Sequence, residues 1–88
     1  MPRRYEPQPA LGRATRERRE ALSLTQAEVA ARADLATMHL SKIENGTSNP
    51  SYGTIKRLAE ALNLRASQLI ARAEELEAHQ QRPGSSAS

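Results

Sequence analysis

Residues 24–46, LTQAEVAARADLATMHLSKIENG, carry two short helical patterns only a few residues apart. Thr25 followed by Glu28 matches a capping box, in which each side chain satisfies an orphan backbone amide at the other position. A helix is therefore predicted from Gln26 to Ala33, with Val29, Ala30 and Ala33 turned inward. Asp34 belongs to the few residue types besides glycine that tolerate a left-handed backbone, so a sharp turn follows. A second helix, with Leu40 and Ile43 on its inner face, stops at Asn45-Gly46. Each segment is too short to be stable alone. Steep crossing needs small residues at the contact, and Ala30 and Ala33 supply them. Held in this way, the second helix protrudes and presents Thr37, Met38, Ser41 and Lys42 outward.

Outward from this pair the pattern stays helical. Pro9 suits the first turn of a helix, and Leu11, Ala14, Thr15, Ala21 and Leu22 give a weak apolar stripe over 9–21. A helix over about 51–62 buries Ile55, Leu58, Ala59 and Leu62, with Asn63 as its stop. Another over about 66–79 turns Leu69, Ile70, Ala73 and Leu76 inward. Residues 1–8 read as a basic flexible arm, 9–79 as one domain, and 80–88 as a disordered tail by composition. No strand pattern and no internal repeat is visible. The expectation is an all-α, five-helix fold.

Composition narrows the function. At 88 residues the chain supports one domain with a small core, and without cysteine it has neither disulfides nor thiolate metal sites. No apolar run approaches the ~20 residues of a membrane span, and residues 1–10 lack the apolar segment of a secretory signal, so a soluble cytoplasmic protein is expected. The net charge of +3 is unevenly placed. Arg3, Arg4, Arg13, Arg16, Arg18 and Arg19 face only Glu6 and Glu17 in the first part of the chain, whereas acids slightly outnumber bases from Glu60 to Arg82. Such asymmetry fits a face that meets an anion, and equally a solvated basic helix. Tyr5 and Tyr52 are the only aromatics, which disfavours single-stranded nucleic acid, usually bound on aromatic platforms.

Residues 11–70 resemble the Cro/cI-type (XRE-class) helix-turn-helix family. The likeness rests on LTQAEVA opening the second helix, LSKIENG closing the third, and PS…TI…LAEAL in the fourth, in that order. It implies a compact lambda-repressor-like domain whose third helix enters the major groove of double-stranded DNA. By that resemblance Thr37, Met38, Ser41 and Lys42 occupy base-reading positions, and Lys42 could donate to guanine while Thr37 or Met38 meets a thymine methyl. Gln26, Thr47, Ser48 and Asn49, with Arg16 of the first helix, would contact phosphate and set register. Arg19 and Glu44 stand where the family places a structural ion pair. Small members dimerise through the last helix, which makes Leu69, Ile70, Ala73 and Leu76 candidates for the seam of a homodimer; the alternative is a longer helix lying on its own domain.

The sequence departs from the family at several points. Asp34 stands where glycine is common, Ala36 where a Ser or Thr cap is common, and Thr15 and Arg18 where aliphatic residues are common. Gly53 lowers helix propensity in the first turn of the fourth helix. His39 is read as a partly exposed side chain rather than a pH switch. His39 and His79 lack ligand spacing, so no metal and no cofactor is expected. No serine has a base and orienting partner, and an enzyme is not expected. The resulting reading is a sequence-specific, homodimeric transcription regulator, a repressor on a palindromic operator. The alternative is a protein-interaction module, such as an antitoxin or scaffold, working through the fifth helix.

Overall fold

The computed structural model describes residues 8–81 and shows five helices: α1 (Pro9–Ala21), α2 (Gln26–Ala33), α3 (Thr37–Glu44), α4 (Tyr52–Ala61) and α5 (Ala66–Gln81). There is no strand among the described residues, so the all-α, five-helix expectation is met. α5 runs two residues past its expected end. Apart from Gln8 and the helical residues 80–81, the arm expected at 1–8, with Arg3 and Arg4, and the tail expected at 80–88 lie outside the described residues.

The helices are delimited by local chemistry. Pro9 opens α1, where its missing N–H costs nothing. Thr25 and Glu28 form both halves of the capping box on α2, at 3.0 and 2.8 Å. The Ser51 hydroxyl accepts from the Thr54 amide at the start of α4. The Gln68 side chain accepts from the amide of Arg65, just before α5.

Four helix ends share one device. Ser23, Asp34, Gly46 and Asn63 all take left-handed backbone, with φ of 57, 59, 78 and 61°. At each, the next amide reaches back across the last turn: Leu24 to Arg19 O, Leu35 to Ala30 O, Thr47 to Lys42 O and Leu64 to Ala59 O. These are Schellman turns, which give two orphan carbonyls a partner and fix the angle at which the chain leaves the helix. Three of the four use a residue other than glycine.

Leu40, Leu58, Leu62, Leu69 and Val29 are fully buried and form the centre of the core. Burying each is worth roughly 1.5–3 kcal/mol. α1 packs on α3 and α5, α2 packs on α3 and α4, and α4 packs on α5. The interface of α1 is not the stripe expected. Ala10, Leu11, Gly12, Ala14 and Thr15 are buried, while Ala21 is exposed and Leu22 only half-buried. Gly12 is the pivot: a Cβ there would clash with Ile43 O and stand 2.5 Å from Glu44 O. The α1 backbone can lie directly on the end of α3 only because no side chain intervenes.

The two polar departures on α1, Thr15 and Arg18, both find hydrogen-bond partners. Thr15 is completely buried, but its hydroxyl donates to Leu11 O at 2.9 Å, so no polar group is stranded. Arg18 Nε donates to Leu62 O at 3.0 Å, and Arg57 Nε does the same for Ala33 O at 3.1 Å. Each guanidinium thereby satisfies a carbonyl at the end of a distant helix, ties two elements together and favours the negative end of the dipole.

Candidate nucleic-acid interface

The α2–α3 pair is built as tightly as its brevity demands. Ala30 and Ala33 are 1% exposed and Leu40 is 0% exposed, so small side chains on α2 meet larger ones from α3 with nothing between. The αL conformation of Asp34 and the 2.8 Å bond from Leu35 N to Ala30 O lock the turn between them. α3 then sorts its residues by face. Leu40, Ile43 and Glu44 are buried. Thr37, Met38 and Lys42 are exposed and Ser41 is half-buried, and the i, i+1, i+4, i+5 spacing puts all four along one side. Met38, 70% exposed, is an apolar side chain that packs on little of this domain. His39 is half-buried at the edge of the same helix.

Ala36, the N-cap of α3, offers no side-chain acceptor, and Thr37 does not replace it. The first-turn amides of α3 are therefore left to solvent or to an external acceptor.

The base of α3 is anchored by a buried charge network. The Glu44 side chain is 0% exposed. Its Oε2 accepts from Arg19 Nε at 2.7 Å, and its Oε1 accepts from Arg19 Nη2 at 3.0 Å, Gln26 Nε2 at 2.9 Å and, more weakly, Arg16 Nε at 3.4 Å. Arg19 is 13% exposed and also donates through Nη1 to Leu24 O at 2.9 Å. One carboxylate on α3 thus receives three hydrogen bonds from two side chains of α1 and one from α2. Burial alone would push the Glu44 carboxyl up. The bonds from Arg19 and Gln26, and the Arg19 charge, outweigh that and hold it below the usual carboxylate value. The same bond raises the already high pKa of Arg19.

The positions proposed for phosphate divide into two groups. Gln26 is half-buried and has spent one amide hydrogen on Glu44, which leaves its second hydrogen as a donor. Arg16 reaches Glu44 only loosely and keeps 49% of its side chain exposed. In the loop after α3, Thr47 and Asn49 are exposed and Ser48 is half-buried; the Thr47 hydroxyl donates to Lys42 O at 3.2 Å, which fixes the loop beside the end of α3.

The four seam candidates do not share one fate. Leu69 and Leu76 face inward and belong to the core. Ile70 and Ala73 are half-buried and line a groove of about 290 Å³ with Ala10, Leu11, Pro50 and Ile55. Only these two remain available to a second surface. Arg72, on the neighbouring face of α5, is bidentate to Glu17 at 2.8 and 3.0 Å and also pairs with Glu75. It therefore clamps α5 onto α1, and its hydrogen bonds lower the Glu17 carboxyl pKa.

A family model described as helix-turn-helix matches residues 16–69. An uncharacterized HTH-type transcriptional regulator of Sinorhizobium fredii is 43% identical over 49 residues, which is 56% of this chain but only 25% of the relative's length. Among solved structures, the restriction-modification controller protein C.AhdI of Aeromonas hydrophila is 31% identical, with a TM-score of 0.69 over 70% of this chain and 94% of that one. The clp gene regulator ClgR of Corynebacterium glutamicum is 26% identical, with a TM-score of 0.79 over 83% of this chain and 78% of that one.

Proposed function

Because the chain belongs to the helix-turn-helix family of transcription regulators, we propose that it is a sequence-specific double-stranded DNA-binding regulator that acts as a homodimeric repressor in the cytoplasm. The observation that carries this reading is the state of α3. It is eight residues long, fixed at its base by a fully buried carboxylate and at its start by a Schellman turn, with Thr37, Met38, Ser41 and Lys42 along its outward side. A major groove about 12 Å wide admits such a helix. Lys42 is the one cation on that side and is assigned to a purine acceptor pair, Met38 to a thymine methyl, and Thr37 and Ser41 to base edges or flanking phosphate. Gln26, Arg16 and the Thr47–Asn49 loop carry the backbone contacts, which position the helix without reading sequence.

One helix of two turns spans too few base pairs for useful selectivity, so a second copy is required. Two recognition helices roughly 34 Å apart would read a palindrome. Ile70 and Ala73 supply the apolar surface for pairing.

The test is Lys42→Ala titrated against a set of duplexes that differ at single positions. Binding is expected to weaken, with discrimination lost at one base pair by about 1–3 kcal/mol. A uniform loss at every position would make Lys42 a phosphate contact instead.

A further inference from the structure

The carboxylate of Glu44 binds a side chain that the fold does not need it to bind. Arg19 alone ties α3 to α1, through Nε to Oε2 at 2.7 Å and Nη2 to Oε1 at 3.0 Å. α2 is already fixed by its capping box, by the turn at Asp34 and by the burial of Val29, Ala30 and Ala33. Gln26 Nε2 nevertheless donates to the same Oε1 at 2.9 Å, although Gln26 is only half-buried. Ordering a long side chain costs rotamer freedom, and one bond at a partly wet site offsets only part of that. Gln68, beside the start of α5, makes the opposite choice. Its carbonyl oxygen accepts from the Arg65 amide at 2.8 Å, and the residue is exposed, so its nitrogen is left to solvent.

We propose that Glu44 is a positioning residue for DNA binding: it fixes the polarity of the Gln26 amide, so that a donor rather than an acceptor is ready for a phosphate. This rests on the assignment of Gln26 as a phosphate contact. A free glutamine amide presents its nitrogen or its oxygen with similar ease, and the oxygen repels a phosphate. Burial pushes the Glu44 carboxyl up, but the bonds from Arg19 and Gln26 hold it below the usual value, so it is ionised at neutral pH. An ionised carboxylate accepts and cannot donate, and beside it only the nitrogen of Gln26 can face Oε1. That nitrogen carries two hydrogens that point apart, and the one not bound to Glu44 remains for an external oxygen. The donor is then ordered before the phosphate arrives, and binding is spared that entropy loss. Charge alone predicts the opposite behaviour. The carboxylate repels phosphate and engages Arg16 at 3.4 Å, so neutralising it deletes an anion, frees a cation and should strengthen binding. The two accounts differ in sign.

The probe is one mixed-sequence duplex of about 20 base pairs at about 50 mM salt, where phosphate contacts dominate and no operator is needed. Gln26→Ala, Glu44→Gln and the double variant of the 88-residue protein are titrated against it, with folding checked by circular dichroism. Gln26→Ala is expected to weaken binding roughly tenfold in the otherwise unmutated protein and less than about twofold in the Glu44→Gln background. Glu44→Gln itself should bind more weakly than the unmutated protein. Equal losses on Gln26→Ala in both backgrounds, no loss in the unmutated one, or tighter binding by Glu44→Gln overturns the proposal. If the unmutated protein binds no duplex, the DNA reading fails and takes the proposal with it, an outcome distinct from those three. A second measurement needs neither DNA nor a variant, and so stands even where Glu44→Gln does not fold. By NMR, the side-chain amide hydrogens of Gln26 should exchange with water several-fold more slowly than those of Gln68. Equal exchange at the two residues overturns the proposal.

Discussion

Glu44 on α3 and Arg19 on α1 meet through two hydrogen bonds, 2.7 Å to Oε2 and 3.0 Å to Oε1, with the carboxylate wholly removed from water. Deleting either member strands the other. Glu44→Ala is expected to destabilise the fold by about 3 kcal/mol, at the lower end of the range for broken buried pairs because Arg19 keeps some access to solvent. Urea denaturation measures this directly. A loss below about 0.5 kcal/mol, the scale of an ordinary surface substitution, would show that the network contributes little.

The same pair gives the fold a defined acid sensitivity. The folded-state pKa of Glu44 is lowered, so its contribution is fully present above the unfolded carboxyl value of about 4.3 and is lost as pH falls through the folded value. The Glu17 carboxyl is lowered too and acts in the same direction, but its side chain is half-exposed and adds little. Urea midpoints taken from pH 7 down to pH 2 should therefore fall below about pH 4. The fall should be shallower in Glu44→Gln, which has no carboxyl to protonate there. Parallel curves for the two proteins would contradict the assignment.

Two glycines should respond in opposite directions to the same substitution. Gly53 is exposed inside α4, and a Cβ there would meet nothing nearer than Ser51 Oγ at 3.9 Å. Gly53→Ala is expected to raise stability by up to about 1 kcal/mol. Gly12→Ala must push α1 off the end of α3, at a cost of about 1–3 kcal/mol. Thermal melts of the two variants side by side make the comparison.

Ser23, with a φ of 57°, takes a left-handed conformation without the side-chain amide or carboxyl that helps Asn63 and Asp34 tolerate it. Ser23→Gly is expected to raise stability by up to about 1 kcal/mol, and more than Asp34→Gly or Asn63→Gly does. A loss of stability on Ser23→Gly would mean that the entropy glycine gains in the unfolded chain outweighs the relief.

What the sequence discloses and what it conceals follows from how local each interaction is. Helix bounds and caps are written within four residues, so Thr25 with Glu28 places the start of α2 and Asn63 the end of α4. Longer-range contacts leave no such pattern. Arg18 and Leu62, or Arg57 and Ala33, are joined through a backbone carbonyl that every residue possesses, so nothing in the chain marks the partner. The role of Gly12 has no mark in the sequence, and only the approach of the Ile43 and Glu44 carbonyls shows why nothing larger than hydrogen fits there. Ser23 gives no warning of its backbone, because serine is an uncommon choice for it. At the candidate interface, the face of α3 is readable from helical spacing. The spending of a Gln26 amide hydrogen on Glu44, and the division of Leu69 and Leu76 from Ile70 and Ala73, emerge only once the helices are packed.

The central claim, that α3 reads base pairs from a dimer, is tested most directly by selecting bound sequences from a random duplex pool. At about 150 mM salt, affinity that rests on phosphate attraction alone is strongly reduced. The account predicts recovery of a palindrome with half-sites about one helical turn apart. Recovery of no shared sequence, with the protein still folded by circular dichroism, would contradict it.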